Sequence, residues 1–138
     1  MCGITGIYNY SCITKQDIAN TRYMLNQIKH RGPDGIDTFE SRDISLGATR
    51  LSMIDTKSSH ILIKDPDNRF ILAYNGEIYN FLELRKYLLS KGFKFCTQSD
   101  GEVIIYLYIL YGVSFLSKLD GMFAFALWDS VDKNLLLA

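Results

Sequence analysis

The chain is short of cysteine and carries no surplus charge of either sign. Three cysteines in 138 residues, Cys2, Cys12 and Cys96, are too few and odd in number for a disulfide framework. No signal-peptide pattern opens the chain, so a reducing, cytoplasmic setting is expected. Fifteen basic residues balance fifteen acidic ones. No net field then draws the protein to nucleic acid or to a membrane surface, and neither is expected as a partner. Long hydrophobic runs are missing too: the apolar stretch 103–110 falls well short of the roughly 20 residues that cross a bilayer. No metal site is expected. What is present is a globular composition, 48% hydrophobic and 22% charged, in a single domain long enough to bury a sizeable core.

The first three residues, Met1-Cys2-Gly3, organise the rest. A thiol at a frayed terminus is a liability without evident structural return. Removal of Met1, common before a small side chain, leaves Cys2 with a free α-amine beside its own thiol. Reference pKa values are about 7.7–8.0 for such an amine and about 8.5 for the thiol. Near neutral pH the amine can take the thiol proton, directly or through water, so one residue supplies nucleophile and base. The alternatives are an ordinary cysteine at a strand edge or a Cys2–Cys12 disulfide.

Residues 4–8 are β-prone and fix Cys2 at the start of a first strand. Thr14-Lys15-Gln16-Asp17 has the form of a capping box opening a helix to about Lys29, with Ile18, Met24, Leu25 and Ile28 as its buried stripe. His30-Arg31-Gly32-Pro33-Asp34-Gly35 ends that helix as a rigid loop. His30 and Arg31 either face a ligand or serve the last helix carbonyls, and the structural role is favoured. Two β-prone pieces follow, 44–48 and 51–54, with Arg50 between them. Its guanidinium either captures a carboxylate through two parallel bonds or points outward from a surface strand. Residues 57–69 read as polar and irregular.

Residues 70–74 read as a buried strand ending at Asn75-Gly76, a strong hairpin signal. Asn80-Phe81-Leu82-Glu83, however, resembles the capped start of a helix reaching Ser90, with Phe81, Leu84 and Leu88 on one face. Asn75-Gly76 is then expected at a strand-to-helix turn, where a side-chain amide and a backbone N–H converge as in an oxyanion hole. A short strand at 93–95 is expected next. Ser99-Asp100-Gly101-Glu102 reads as a capping box for a helix to Tyr111, apolar on every side and needing cover all round. Asp100 either complements the helix dipole or offers a carboxylate to a ligand's ammonium group. Residues 122–128 alternate as a strand, 129–134 turn, and 135–138 begin another strand inside which the chain stops.

Taken in order, MCGI at the start, HRGPDG at 30–35, TRLSMID at 49–55, AYNGEIYN at 73–80, SDGE at 99–102 and FAFALWD at 123–129 resemble the class II glutamine amidotransferase domain. The resemblance spans nearly the whole chain and is closest to the glutamine-hydrolysing asparagine synthetases. Glucosamine-phosphate synthases and phosphoribosyl amidotransferases share the amino-terminal Cys-Gly-Ile, but their arginine and Asn-Gly segments read differently. The resemblance implies an α+β amino-terminal-nucleophile hydrolase fold, a four-layer αββα sandwich that is C-terminally incomplete here. It implies Cys2 as nucleophile on the glutamine side-chain amide, giving a thioester that water resolves to glutamate. Asn75 and the Gly76 N–H correspond to the oxyanion hole, and Arg50 to the grip on the substrate α-carboxylate. Asp100 and Glu77 correspond to the residues holding the α-amino group, while Leu51, Met53 and Ile54 fall in the segment lining the glutamine pocket.

No cofactor is implied for this chain; ATP and Mg2+ belong to a synthetase domain that the 138 residues lack. Implied partners are glutamine and that synthetase domain in the same or another chain, with a homodimer left open. Ser58-Ser59-His60-Ile61-Leu62 stands where the family carries a Gly-His-Gln-Pro type loop, and Ala48-Thr49 replaces its histidine-containing approach to the arginine. Two other functions stay open: an amidotransferase acting on another carboxylate acceptor, and a catalytically idle binding or regulatory fragment.

Overall fold

The computed structural model describes residues 2–51 and 61–138. Strands β1 (Gly3–Tyr8), β2 (Gly35–Glu40) and β3 (Ile44–Arg50) form an antiparallel sheet in the order β1-β3-β2. Strands β4 (Ile63–Lys64), β5 (Phe70–Ile78), β6 (Gly121–Asp129) and β7 (Asn134–Leu137) form a second in the order β4-β5-β6-β7. Helix α1 (Lys15–Gln27) lies on the first sheet; α2 (Phe81–Ser90) and α3 (Glu102–Tyr111) lie on the second.

Period-2 alternation sorts the side chains into layers. Ile44, Leu46 and Ala48 of β3 meet Ile71 and Ala73 of β5 and Ala126 and Trp128 of β6, which makes the inter-sheet core. The odd positions of β3 face the other way, where Leu25 of α1 packs so closely on Gly47 that a β-carbon there would overlap it. On the far face of the second sheet, Phe70, Leu72, Ile78, Phe125 and Leu127 pack against Leu88 of α2, Val103, Ile104 and Leu107 of α3, and Phe115. The order is helix, sheet, sheet, helices: the expected αββα sandwich.

Helix α1 starts as the sequence predicts. The Thr14 hydroxyl accepts from the Asp17 N–H at 3.1 Å, and the Asp17 carboxylate accepts from the Thr14 N–H at 2.8 Å. The other two expected capping boxes do not form. Asn80 spends its side-chain amide on residues 118–120, donating to the Lys118 carbonyl at 2.9 Å and accepting from the Asp120 N–H at 3.2 Å. Glu102 turns back toward the loop before α3.

Four further expectations are corrected. Asn75-Gly76 is no turn: β5 runs through it to Ile78, with Asn75 opposite Ala124 and Gly76 opposite Phe123. Residues 93–95 form no strand; Phe93 and Phe95 instead pack their rings on Tyr106 at centroid distances of 5.0 and 4.9 Å. Helix α3 is buried only from Glu102 to Leu107, while Ile109 and Leu110 at its end are exposed. The second β-prone piece after Arg50 is not a strand at Leu51, and 52–54 lie outside the described residues. Strands β2 and β4 went unread because tertiary pairing makes them: GIDTFE has weak alternation, and two residues carry no pattern at all. Cys2, Cys12 and Cys96 are free thiols, so no Cys2–Cys12 disulfide forms.

Candidate active site

One aromatic contact gives the two sheets a shared level. Tyr8, at the end of β1, meets Trp128 at 5.6 Å between ring centroids, and Trp128 lies opposite Ile71. From that shared level β1 runs back to Cys2 while β5 runs forward to Asn75 and Glu77, and there Cys2 comes close enough to β5 to act electrostatically on the Tyr74 phenol. Residues far apart in sequence therefore arrive at one end of the sandwich.

Cys2 is tied into this end from three sides. The N–H of Gly3 donates to the buried Thr49 hydroxyl at 2.9 Å, so the residue after the thiol is fixed to β3. Arg31 Nε donates to the Cys2 carbonyl at 3.3 Å. The Leu51 N–H donates to Cys2 Sγ at 3.5 Å. The Leu51 carbonyl lies 3.9 Å from the same sulfur, so the backbone of one residue brackets the thiol with a donor and an acceptor. His30 takes the expected place at the end of the helix, its Nδ1 3.1 Å from the Gln27 carbonyl, whereas the Arg31 side chain reaches the Cys2 carbonyl instead of a helix carbonyl.

Arg50 ends β3 beside Cys2, and the HRGPDG loop wraps its backbone. The Asp34 N–H donates to the Arg50 carbonyl at 3.0 Å, and Pro33 bridges the same residue. Leu51 follows with 36% of its surface exposed. Met53 and Ile54, and the 58–60 part of the altered loop, lie outside the described residues.

The ladder of β5 explains why Asn-Gly in mid-strand can still offer donors. Successive N–H groups of an antiparallel strand point to opposite edges. The Ile78 N–H points away from β6, to Asp100. Gly76, two residues earlier in an unbroken register, sends its N–H to that same edge. Strand β4 covers this edge only at Ile71 and Leu72. The side chain of Asn75, by the same alternation, shares the inter-sheet side with Ala73. Only glycine fits at 76, because a β-carbon would overlap the Met122 carbonyl and sit 2.6 Å from Phe123 Cα.

Asp100 borders this edge. It is 4% exposed, and its Oδ2 accepts from the Tyr74 hydroxyl at 2.6 Å and from the Ile78 N–H at 2.8 Å. Oδ1 has no hydrogen-bond partner among the described residues. Tyr74 is held far above its ordinary pKa, first by burial, then by Asp100, with Glu77 and Cys2 adding smaller repulsions. Its phenol stays a donor at any working pH. Glu77 itself is exposed.

Behind Asp100, the fully buried Glu102 knots the loop. Its carboxylate accepts from the Cys96 and Thr97 N–H groups at 2.7 Å each, from the Thr97 hydroxyl at 2.6 Å and from the Tyr106 hydroxyl at 3.1 Å. Thr49, Tyr74 and Glu102 also build the site, and Arg31 builds it through the Cys2 carbonyl rather than by facing a ligand. The signal for Tyr74 was its place beside Asn75: a phenol in a buried strand needs a polar partner.

The glutamine amidotransferase domain family matches residues 1–138. The chain belongs to that family. Among similar proteins, this amidotransferase domain is 38% identical over 139 residues to asparagine synthetase [glutamine-hydrolyzing] 1 of Bacillus subtilis, covering 96% of the chain and 21% of that protein. It is 38% identical to asparagine synthetase [glutamine-hydrolyzing] 1 of Arabidopsis thaliana over 138 residues, all of the chain and 23% of that protein. The chain thus spans less than a quarter of the length of these relatives and matches their glutamine amidotransferase portion. Among solved structures, glutamine phosphoribosylpyrophosphate amidotransferase from B. subtilis superposes with a TM-score of 0.76 at 22% identity, covering 99% of this chain and 37% of that one. At that identity the likeness speaks for the α+β fold alone. No helix among the described residues is long and apolar enough to cross a membrane.

Proposed function

We propose that this amidotransferase domain hydrolyses glutamine to glutamate and ammonia with Cys2 as nucleophile, and that the ammonia serves ATP-dependent synthesis of asparagine from aspartate. The observation that carries the reading is the arrival of Cys2, Arg50, Asn75-Gly76 and Asp100 at one end of the sandwich from four separate segments.

In this reading Met1 is removed and the Cys2 α-amine takes the thiol proton. Sγ forms a bond to the amide carbon of glutamine, and the carbonyl electron pair moves onto oxygen. The Asn75 side-chain amide and the Gly76 N–H stabilise that oxyanion. As the pair returns, the carbon–nitrogen bond breaks and the protonated amine delivers its proton to the departing ammonia. Water then attacks the thioester by the same route, freeing glutamate and the thiol. Arg50 grips the α-carboxylate, and Asp100 with Glu77 holds the α-ammonium. Leu51, Met53 and Ile54 line the pocket.

The synthetase step lies in another domain, in the same or a separate chain, and ATP and Mg2+ act there. The test is to supply glutamine, aspartate and ATP to the protein together with its synthetase domain. Equal yields of glutamate and asparagine are expected, with asparagine formation dependent on ATP. Glutamate release with no asparagine, or asparagine formed from glutamine without glutamate, would overturn the reading.

A further inference from the structure

We propose that Tyr74 is the positioning residue that selects α-amino acids at this site: its hydroxyl fixes Asp100 so that the second carboxylate oxygen receives the substrate's ammonium group. The inference rests on the assignment of Asp100 to that group.

The geometry divides the Asp100 carboxylate between two tasks. Oδ2 is committed, held by the Tyr74 hydroxyl at 2.6 Å and the Ile78 N–H at 2.8 Å. Both donors come from one strand, β5, and both are spent on Oδ2, so Oδ1 is the oxygen left to a ligand among the described residues. A carboxylate pinned at one oxygen presents the other in a single orientation, which is what recognition of a compact, strongly hydrated cation requires. The Tyr74 ring is itself set by packing. It lies against the core on the helix side of the sheet, and a β-carbon on Gly101 would stand 2.7 Å from its Cδ1. Residue 101 is therefore the gauge that sets where the hydroxyl reaches. The Ile78 N–H alone would leave Asp100 free to rotate about one bond. The phenol removes that freedom, and because it stays protonated it never competes with the substrate as a second negative charge.

The experiment compares two substrates, glutamine and 4-carbamoylbutanoate, which is glutamine without its amino group. KM and kcat are measured for both with the natural protein, with Tyr74→Phe and with Gly101→Ala, which keeps the hydroxyl but displaces the ring. Each variant should raise KM for glutamine roughly five- to tenfold, with kcat within about twofold, the pattern of a lost binding contact. Neither should change the weak KM for 4-carbamoylbutanoate. An equal rise on both substrates, or no rise on glutamine, would overturn the role of Tyr74. If the natural protein itself fails to prefer glutamine over 4-carbamoylbutanoate, the assignment of Asp100 falls instead. A protein that releases ammonia from neither compound would overturn both.

Discussion

Replacing Glu102 with glutamine removes one charge and changes one atom, yet the structure makes it a severe test of how the loop before α3 is held. The carboxylate is fully buried and accepts four hydrogen bonds, two at each oxygen. An amide has one accepting oxygen. Turned either way, its NH2 group must confront a backbone N–H, of Cys96 or of Thr97, at a spacing of 2.7 Å. The hydroxyl on that side can turn to accept from the amide, the Tyr106 proton having the Lys94 carbonyl at 2.6 Å, but the backbone bond is lost and one buried donor is left facing another. Hydrogen bonds to a charged acceptor contribute about 1.5–3 kcal/mol each, and part of this returns through the bonds the amide keeps. The expected cost is about 2–4 kcal/mol. For a domain of this size each kcal/mol lowers the midpoint by roughly 3–4 °C, so a fall of about 6–16 °C is expected. Unfolding by heat and by urea, followed by circular dichroism, reads it out. Because the same loop leads into Asp100, KM for glutamine should rise as well. A change in stability below about 0.5 kcal/mol would refute the reasoning.

Arg69 offers a pH test. Its guanidinium grips Asp129 with two bonds of 3.0 and 2.6 Å. Burial by itself would raise the Asp129 pKa, but these bonds and the Val131 and Asp132 N–H groups outweigh it and hold the carboxyl below its ordinary value. A depressed folded pKa means stability that is present above the unfolded value, about 4, and is lost as pH falls through the folded one. The urea midpoint of the natural protein should therefore exceed that of Asp129→Asn at neutral pH, and the gap should shrink on acidification; a constant gap would contradict the linkage. Gly76→Ala should lower stability by about 3 kcal/mol or more, since the new methyl group meets the β6 backbone, and a melt indistinguishable from the natural protein would count against the packing described. Asn75→Ala should lower kcat by roughly 10²–10³ with KM little changed. Arg50→Ala should do the reverse, raising KM far more than it lowers kcat, and an exchange of these two patterns would reverse the assigned roles.

What the sequence made legible was whatever rests on local chemistry. The Thr14 and Asp17 pair marks the start of α1 because both halves of the box lie within one turn. FAFALWD marks β6 as a short apolar run bounded by turn residues, the pattern of a strand covered on both faces, and every residue from Phe125 to Asp129 is buried. Asn75-Gly76 misled for the same reason: the dipeptide has a strong local preference for a turn, and pairing with Ala124 and Phe123 overrides it. Ser99 and Glu102 match a capping box in spacing, but four donors from elsewhere claim the carboxylate first. At the site, Cys2, Arg50, Asn75 and Asp100 were named from residue type and motif. Tyr74, Thr49 and Arg31 act only through contacts that the fold creates, from Tyr74 to Asp100, from Gly3 to Thr49 and from Arg31 to Cys2. No spacing in the chain encodes those meetings.

The central claim is that Cys2, and neither of the other two thiols, performs the chemistry. Glutamate release from glutamine, measured side by side for the natural protein and for Cys2→Ala, Cys12→Ala and Cys96→Ala, tests it most directly. Cys12 and Cys96 are exposed and lie outside the site, so their variants should release glutamate at the natural rate. The Cys2 variant should release none above the buffer blank while melting at the natural temperature. Glutamate release that survives in Cys2→Ala would contradict the account.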